Sequence, residues 1–431
     1  MDRRHLLQGM AVAPAMLAAS WMSSAGAQTS VAGGAGKGLR VVVIGGGFAG
    51  VTAARYLKRW ASGVDITVIE PSAEFVACPM SNRVIHGGLA LKDISHSYRR
   101  VIDKSNIRWV KAFAQEIDVD KREVRTDTDR FAFDKLIIAP GVDYNYDSIP
   151  GLQQADQQAK VPHAWKAGEQ TLQLRNRLMA MPDNGVIAMH IPKVPYRCPP
   201  GPYERASLIA HFLKQRKPKA KLMVFDANPD IQAKKGLFEA AWKSRYAGVI
   251  EYIPNADLKA VDAATQTLEL DVQGKFKTDV LNVIPPQRAG VIAQKAGLAN
   301  VGQRWCGVDF LTYESTAAKG VYVLGDSIAS APGMPKSAHM ANQEAKVCAG
   351  AIAAEVLGQA LPSEPIITNT CYSFVSHNEV IHVAAVYRYD KEKKVMAAVA
   401  GAGGLSDTPN MTEGIYAMAW ATNIVNDTLG L

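Results

Sequence analysis

Arg40-Val41-Val42-Val43-Ile44-Gly45-Gly46-Gly47-Phe48-Ala49-Gly50, a helical pattern from there to Trp60, and then Ile66-Thr67-Val68-Ile69-Glu70 form the stretch that decides the fold. The β-branched run before Gly45 predicts a buried strand, the G-x-G-x-x-G turn a tight passage into a helix, and Ile66 to Ile69 a second strand that stops on an acid. Each residue type has a physical task in such a unit. Gly45 permits the sharp turn, Gly47 lets the backbone approach a pyrophosphate, and Gly50 lets helix and strand pack closely. Gly46 and Ala49 complete the loop, and the helix N-terminus turns its positive end toward the phosphates. Glu70 follows Gly50 at the offset where an acid meets an adenosine ribose hydroxyl. Strand, turn, helix and acid in this order predict a dinucleotide-binding unit.

The rest of the 431 residues can bury a large core and predicts two or three domains. The formal charge of +8 is spread along the chain. Only Lys214 to Lys221 is a basic cluster, and its place at a predicted helix end reads as a solvated face, so no nucleic-acid partner is expected. Residues 1–27 read as an export signal: Arg3-Arg4 precede an apolar, alanine-rich run, and Ala25-Gly26-Ala27 offers a cleavage site. The arginine pair resembles a twin-arginine leader, and an ordinary leader would also carry the protein out of the cytoplasm. Residues 28–37 read as a flexible linker. No later stretch has the ~20 apolar residues of a membrane-spanning helix, so no transmembrane anchor is expected. The five cysteines stand at 78, 198, 306, 348 and 371, an odd number that leaves at least one outside any disulfide. None lies in C-x-x-C or C-x-x-C-H, which excludes a c-type haem on this chain and a local zinc knuckle; no metal site is expected.

Further along, Pro71 to Asn82 leaves the nucleotide strand and crosses toward the far end of the cofactor. Cys78 stands there either beside a flavin ring or as a half-buried free thiol. Leu136-Ile137-Ile138-Ala139-Pro140-Gly141 is a buried strand with a turn, where the chain leaves the first nucleotide unit. Gly320 to Asp326 repeats that pattern and ends on an acid. Two-dinucleotide-domain flavoproteins return to their first domain in this way, their Asp bonding a ribityl hydroxyl; the other reading of Asp326 is a helix N-cap. Between these segments Gly185 to His190 predicts a second-domain strand and Glu204 to Lys214 a helix. The turn joining them holds five prolines from Ile191 to Pro202, which remove N–H donors and cannot cradle a pyrophosphate. Electrons would then come from a donor other than a nicotinamide. The C-terminal part from Leu361 contains Thr370-Cys371-Tyr372-Ser373, strand-like runs at Val380 to Tyr387 and Val395 to Val399, and a final helix from Gly414 to Leu429.

Four stretches carry a family resemblance: Arg197-Cys198-Pro199-Pro200-Gly201-Pro202-Tyr203-Glu204-Arg205-Ala206, Ile284-Pro285-Pro286-Gln287-Arg288-Ala289-Gly290, Met334-Pro335-Lys336-Ser337 and Asn369-Thr370-Cys371-Tyr372-Ser373. With them the chain resembles, nearly end to end, the flavoprotein subunit of flavocytochrome c sulfide dehydrogenase, a relative of sulfide:quinone oxidoreductases. The resemblance implies an α/β fold of the glutathione reductase type: two Rossmann-like dinucleotide-binding domains and an α+β C-terminal capping domain. Their expected extents are 38–150 with 276–360 for FAD, 151–275 for a degenerate second nucleotide domain, and 361–431 for the cap.

It further implies FAD bonded covalently through Cys78, since Cys78, Ser81 and Asn82 meet the family's Cys-x-x-Ser-Asn pattern, although Pro79 is less typical of it. Cys198 and Cys371 would form a redox disulfide opened by sulfide, and a c-type cytochrome subunit, carrying the haem c, would receive the electrons in the periplasm. The expected catalytic residues are Cys198, Cys371 and Glu204, the last as proton acceptor or simply as a first-turn helix acid. The expected cofactor residues are Cys78, Gly45, Gly46, Gly47, Ala49, Gly50, Glu70, Gly141, Asp326 and Lys336, with Lys336 and the helix after Pro335 placing positive potential near the flavin N1. The family's tryptophan-cysteine-proline turn becomes Trp305-Cys306-Gly307 here; Cys306 receives no role, and Cys348 needs only to be small and buried. Two alternatives stand beside this reading. A sulfide:quinone oxidoreductase would need a membrane-seated C-terminus, which the Asn423, Asn426 and Asp427 of the last helix disfavour. A non-catalytic electron-transfer flavoprotein of a thiol- or sulfur-oxidising complex would not need both cysteines.

Overall fold

Val41 to Ile44 sit at the centre of a five-stranded parallel sheet whose order is Val321–Val323, Lys135–Ile138, Arg40–Ile44, Asp65–Ile69 and Arg108–Val110. The computed structural model describes residues 38–431; the export signal and linker expected over 1–37 lie outside the described residues. The central strand is buried on both faces, which is why it reads as an unbroken apolar run without alternation. The sheet's edge strand Val321–Val323 pairs with Lys135–Ile138 and arrives from far along the chain, as the Gly320 to Asp326 pattern predicted. That pattern does not run straight into a helix. Gly325–Ser327 makes a tight 3-10 turn, and the helix Ala338–Val356 starts only after Ser337, whose hydroxyl caps it by accepting from the Met340 N–H at 3.1 Å. Asp326 is therefore not the N-cap.

A second parallel sheet runs Ile250–Ile253, Lys221–Asp226, Val186–Ile191, Val280–Val283. The helix that follows its Val186–Ile191 strand covers Gly201–Arg216, so it starts three residues before Glu204, with Pro202 in the first turn where a missing N–H costs nothing. The basic cluster at its end is partly structural: Lys217 is buried and its ammonium donates to the Met181 carbonyl.

The third sheet is antiparallel and has three long strands, Ile366–Phe374, Val380–Asp390 and Val395–Leu405. The first of these, carrying Cys371, is absent from the sequence reading because polar residues interrupt the apolar alternation between buried Ile367 and Phe374. Asn369 and Ser373 point into the protein, where they bond to Ser337 and Lys234. The last helix, Met411–Leu429, begins earlier than Gly414 because Asn410 caps it, accepting from the Glu413 N–H at 2.8 Å. Its far end is pinned to the first sheet's helices through Asp427, which takes Asn342 Nδ2 at 2.7 Å, Lys346 Nζ at 2.9 Å and the Tyr56 hydroxyl. Among the described residues no helix is long and apolar enough to cross a membrane.

The glycine turn is fixed by close approach. Gly45 has φ +104, and a Cβ there would lie 2.3 Å from the Ala139 carbonyl oxygen; one on Gly50 would lie 1.9 Å from that of Gly45. Gly47 has nothing within 4 Å of its missing Cβ. Gly50→Ala is therefore expected to lower stability by about 1–3 kcal/mol, while Gly47→Ala changes it by less than about 1 kcal/mol. Urea unfolding in a Cys78→Ser background measures both, and equal losses would contradict the assignment.

Candidate active site

Parallel strands leave their ligand-facing backbone groups at their C-terminal ends, and here a cleft of about 1040 Å³ opens where Ile44, Ile69, Ala139 and Leu324 finish the first sheet. Its lining falls into two groups. Gly45, Gly46, Gly47, Ala49, Glu70 and Tyr98 surround the glycine turn; Cys78, Gly141, Arg197, Asp326, Ala338 and Ala341 form the other wall. The helix Phe48–Trp60 has neither a side-chain cap nor a first-turn acid, so its first N–H groups remain for a ligand. Gly50 lies behind the lining, packed on Gly45.

Glu70 does more than the sequence assigned to it. Its Oε2 accepts from the Gly46 N–H at 2.6 Å and its Oε1 from the Ser72 N–H at 2.7 Å, so the acid pins the turn while each oxygen keeps a lone pair for a hydroxyl. Tyr98 closes the same corner, donating to the Gly46 carbonyl at 3.0 Å.

Asp326 is held on its tight turn with Oδ2 at 4.0 Å from Arg197 Nη1, and its buried Oδ1 has no partner among the described residues. Burial pushes its pKa up, against the pull of Arg197 and Lys336. A buried carboxylate oxygen left open beside a cleft calls for a hydroxyl donor, which a ribityl chain supplies. The open Gly47, the uncapped helix, Glu70 and Asp326 together fit an FAD. Cys78 lines the same wall, its thiol pushed up by burial next to Arg197, Asp326 and the Tyr144 hydroxyl, which itself is buried and has no partner among the described residues.

Lys336 is not on the lining. Its ammonium lies 3.8 Å from the centre of the Trp305 ring and donates to the Ile328 carbonyl, and burial pulls its pKa down to about 8. Its carbonyl, however, accepts from the Cys198 N–H at 2.8 Å. Lys336 thus helps set the backbone of Cys198, which takes the left-handed conformation, φ +59, uncommon for a side-chain-bearing residue.

Cys198, Cys371 and Glu204 come together behind this wall. Glu204 is half-buried in the first turn of its helix; Oε1 accepts from the Phe374 N–H at 2.9 Å and Oε2 from Asn82 Nδ2 at 2.8 Å. Burial raises its pKa, and these two bonds oppose the rise. Asn369 Nδ2 points at Cys371 Sγ from 3.2 Å. Burial raises both thiols; each feels the charge of Glu204, and Cys198 also those of Cys371 and Cys78. All five cysteines are free thiols in this structure, so the Cys198–Cys371 disulfide implied by the resemblance is not formed in it. Cys306 and Cys348 are wholly buried in the first core, and among the described residues no cluster of His, Cys, Asp and Glu is arranged to hold a metal.

Four residues of this region carried no role in the sequence reading: Arg197, Tyr144, Asn82 and Lys234. Arg197 adjoins Cys198 and Asn82 completes the Cys78 pattern, so proximity to a cysteine could have flagged both; Tyr144 and Lys234 sit in stretches without any pattern.

In the second sheet, the acid at the end of Lys221–Asp226 is already used. Asp226 is buried and accepts from the hydroxyls of Tyr203 at 2.7 Å and Tyr252 at 2.9 Å and from the Asn228 N–H at 2.9 Å. No free carboxylate oxygen faces a ribose there.

The architecture and first cleft define a flavoprotein of the pyridine nucleotide-disulphide oxidoreductase type, a family whose profile matches residues 39–182. Two further profiles match later segments: "Sulfide dehydrogenase [flavocytochrome c] flavoprotein chain, central" over 171–285 and "Flavocytochrome c sulphide dehydrogenase, flavin-binding" over 363–429. A sulfide dehydrogenase [flavocytochrome c] flavoprotein chain of Chlorobaculum thiosulfatiphilum is 49% identical over 45 residues, which are 10% of this chain and 94% of that sequence. The chain belongs to the flavocytochrome c sulfide dehydrogenase flavoprotein family. The mitochondrial sulfide:quinone oxidoreductase of Mus musculus is 26% identical over 297 residues, 66% of this chain, and the match spans 65% of the mouse enzyme's length. In fold, the crystal structure of the Aquifex aeolicus sulfide:quinone oxidoreductase superposes with a TM-score of 0.74 at 20% identity, covering 91% of this chain and 92% of that one.

The pyridine-nucleotide profile ends at 182, short of the second sheet, where five prolines and the occupied Asp226 stand. NADH and NADPH are accordingly expected not to reduce the bound flavin at a useful rate. Stopped-flow bleaching measures this, and rapid reduction by either nucleotide would refute it.

Proposed function

We propose that this protein is a periplasmic FAD-dependent sulfide dehydrogenase that takes electrons through a Cys198–Cys371 disulfide and passes them to a c-type cytochrome subunit. The observation that carries the proposal is the gathering of two thiols and a carboxylate, Cys198 with Glu204 from one segment and Cys371 from another, against the wall that holds Cys78. In this reading residues 38–150 with 276–360 form the FAD domain, 151–275 the degenerate nucleotide domain and 361–431 the cap. FAD, when bound, supplies a two-electron acceptor that can be reoxidised one electron at a time.

The chain's own residues do the rest. The glycine turn and the helix Phe48–Trp60 hold the pyrophosphate, Glu70 the ribose, Asp326 the ribityl chain, and Cys78 a thioether tether. The N-terminus of Ala338–Val356 turns its positive end toward the cleft through Ala338 and Ala341, and buried Lys336 adds to that potential from behind. Hydrosulfide attacks the disulfide, leaving a persulfide on one sulfur and a thiolate on the other. Glu204, its proton affinity raised by burial, takes the proton of an incoming hydrogen sulfide. The acceptor is assigned to a cytochrome because the C-terminal region, 363–429, has the flavocytochrome c type of flavin-binding sequence. The compartment is assigned from the Arg3-Arg4 leader.

Two outcomes are expected. FAD stays with the polypeptide on acid precipitation, and mass spectrometry finds it on the Cys78 peptide; a bare thiol there would leave only non-covalent binding. Cys198→Ser and Cys371→Ser each abolish sulfide-dependent flavin reduction with FAD still bound, and the double variant is no worse, because the pair acts as a unit. A single variant that still bleaches at near wild-type rate would overturn the disulfide route. Wild-type protein that carries flavin yet never bleaches with sulfide would point to the non-catalytic electron carrier.

A further inference from the structure

Arg83 is a buried cation that no anion accompanies. It stands on the short helix Ser81–His86 that follows Cys78, and it is 7% exposed. Buried charges are ordinarily paired, because an unpaired one away from water is costly. Here the guanidinium carbon lies 4.4 Å from the centre of the Phe374 ring, and Nη1 meets only the Met418 sulfur, a weak acceptor, at 3.2 Å. Nε is buried without a partner, Nη2 donates to nothing, and no carboxylate comes within ion-pair distance of Arg83 among the described residues. The nearest acid, Glu204, already accepts on both oxygens, from Phe374 and Asn82. Nε and Nη2 form the side-on edge of the fork with which an arginine holds an anion at two points.

The surroundings of that edge point the same way. A Cβ placed on Gly88 would lie 2.7 Å from His86 Nε2 and 3.3 Å from Arg83 Nη2, so both groups face one side of the turn that ends the helix. Nδ1 of His86 is likewise buried without a partner among the described residues. Burial, helped by Arg83, pulls the His86 pKa down to about 4, which leaves the ring neutral and able to donate one N–H. On the other side of the turn Arg175 packs against Gly87 and donates to the Val84 carbonyl at 3.0 Å. The turn reaches solvent at Gly87, and His377, whose Nδ1 is 3.3 Å from His86 Nε2, is exposed as well. Neutralising the carbonyl end of the helix accounts for Arg175. It does not account for a fork left open against a thioether and an aromatic ring.

We propose that Arg83 and His86 form a binding site for a small, weakly hydrated anion, and that its occupant is hydrosulfide before it reaches the sulfur pair. The inference rests on the sulfide reading above and adds a substrate-binding residue to it. Hydrogen sulfide ionises near neutral pH, and its soft anion suits a fork set among Met418 and Phe374 better than a sulfate with tightly held water does. The Phe374 that Arg83 covers is the residue whose N–H holds Glu204, three positions beyond Cys371, so the site adjoins the chemistry.

Thiocyanate, a weakly hydrated anion, is the probe. Equilibrium dialysis of radiolabelled thiocyanate against the full-length holoprotein at low ionic strength is expected to show a site that Arg83→Gln weakens about tenfold and that sulfate does not empty. In stopped-flow bleaching of the flavin, Arg83→Gln is expected to raise the half-saturating sulfide concentration about tenfold and to lower the limiting rate less than about threefold, and thiocyanate is expected to compete with sulfide in the wild type. Arg83→Lys keeps the charge without the fork; it is expected to fall between the two and serves where the glutamine variant does not accumulate. Thiocyanate held equally by wild type and variants, held by neither, or displaced by sulfate overturns the site. A loss of limiting rate at unchanged half-saturation overturns substrate binding, since Arg83 would then act through Glu204. Thiocyanate binding that depends on Arg83 in a wild type that sulfide never bleaches leaves the anion site standing and overturns hydrosulfide as its occupant, together with the sulfide reading.

Discussion

Glu204 sends one carboxylate oxygen to the Phe374 N–H and the other to Asn82 Nδ2, and through those two bonds three distant segments share one register. Phe374 lies three residues beyond Cys371 on its strand, Asn82 four beyond Cys78, and Glu204 six beyond Cys198. A one-residue slip of the Ile366–Phe374 strand would turn Cys371 to the other face and leave Glu204 without its N–H. Because both carboxylate oxygens would lose or strain their bonds, the slip is opposed from both ends. The three cysteines are thus held on one site by an interaction that involves no sulfur.

Asn82 extends this constraint into a wider buried network. Its Oδ1 accepts from Arg205 Nε at 3.0 Å, and the Arg205 guanidinium also donates to Asn282 Oδ1 at 3.0 Å and to the carbonyls of His163 at 2.7 Å and Ala164 at 2.6 Å. Arg205 is 1% exposed, and burial pulls its pKa down to about 9. A fully bonded buried guanidinium adds little net stability, since its desolvation offsets most of its bonds; it does exclude alternative packings that would break them. Glu204, Arg205 and Lys234 therefore set geometry around the cysteines, whereas the apolar clusters on either face of the sheets hold the fold.

The first sheet was legible in the sequence because its signals are local: a β-branched strand, three glycines whose spacing reflects a 1.9 Å and a 2.3 Å approach, and an acid at the next strand end. Asp326 was legible as a second strand end. The strand bearing Cys371 was not, because its inward-facing Asn369 and Ser373 replace the apolar period with hydrogen bonds to residues far along the chain. Lys234 and Tyr144 were invisible for the same reason. Their positions matter through partners more than a hundred residues away in one case and through an unpartnered hydroxyl in the other, and neither leaves a pattern in nearby sequence. No spacing argument reaches Cys198 and Cys371 as neighbours; only the family resemblance did.

The two parallel sheets make the same strand–turn–helix passage and put it to opposite uses. After Arg40–Ile44 the turn is glycine-rich, Gly47 faces open space, and the following helix leaves its N–H groups free. After Val186–Ile191 the turn is proline-rich, Cys198 occupies its left-handed position, and Tyr203 from the new helix donates into Asp226. Glu70 at the end of the first sheet's strand keeps lone pairs for a ribose, while Asp226 at the corresponding strand end is saturated by two tyrosines and an asparagine. The acid that would meet a second ribose is thereby bonded within the protein. The three-residue glycine turn of the first sheet is replaced here by the nine residues between Ile191 and Gly201, and that longer connection carries a thiol. Under the proposed function, changes in one turn and one strand end would suffice to replace a second nucleotide by a sulfur pair as the electron donor to the first.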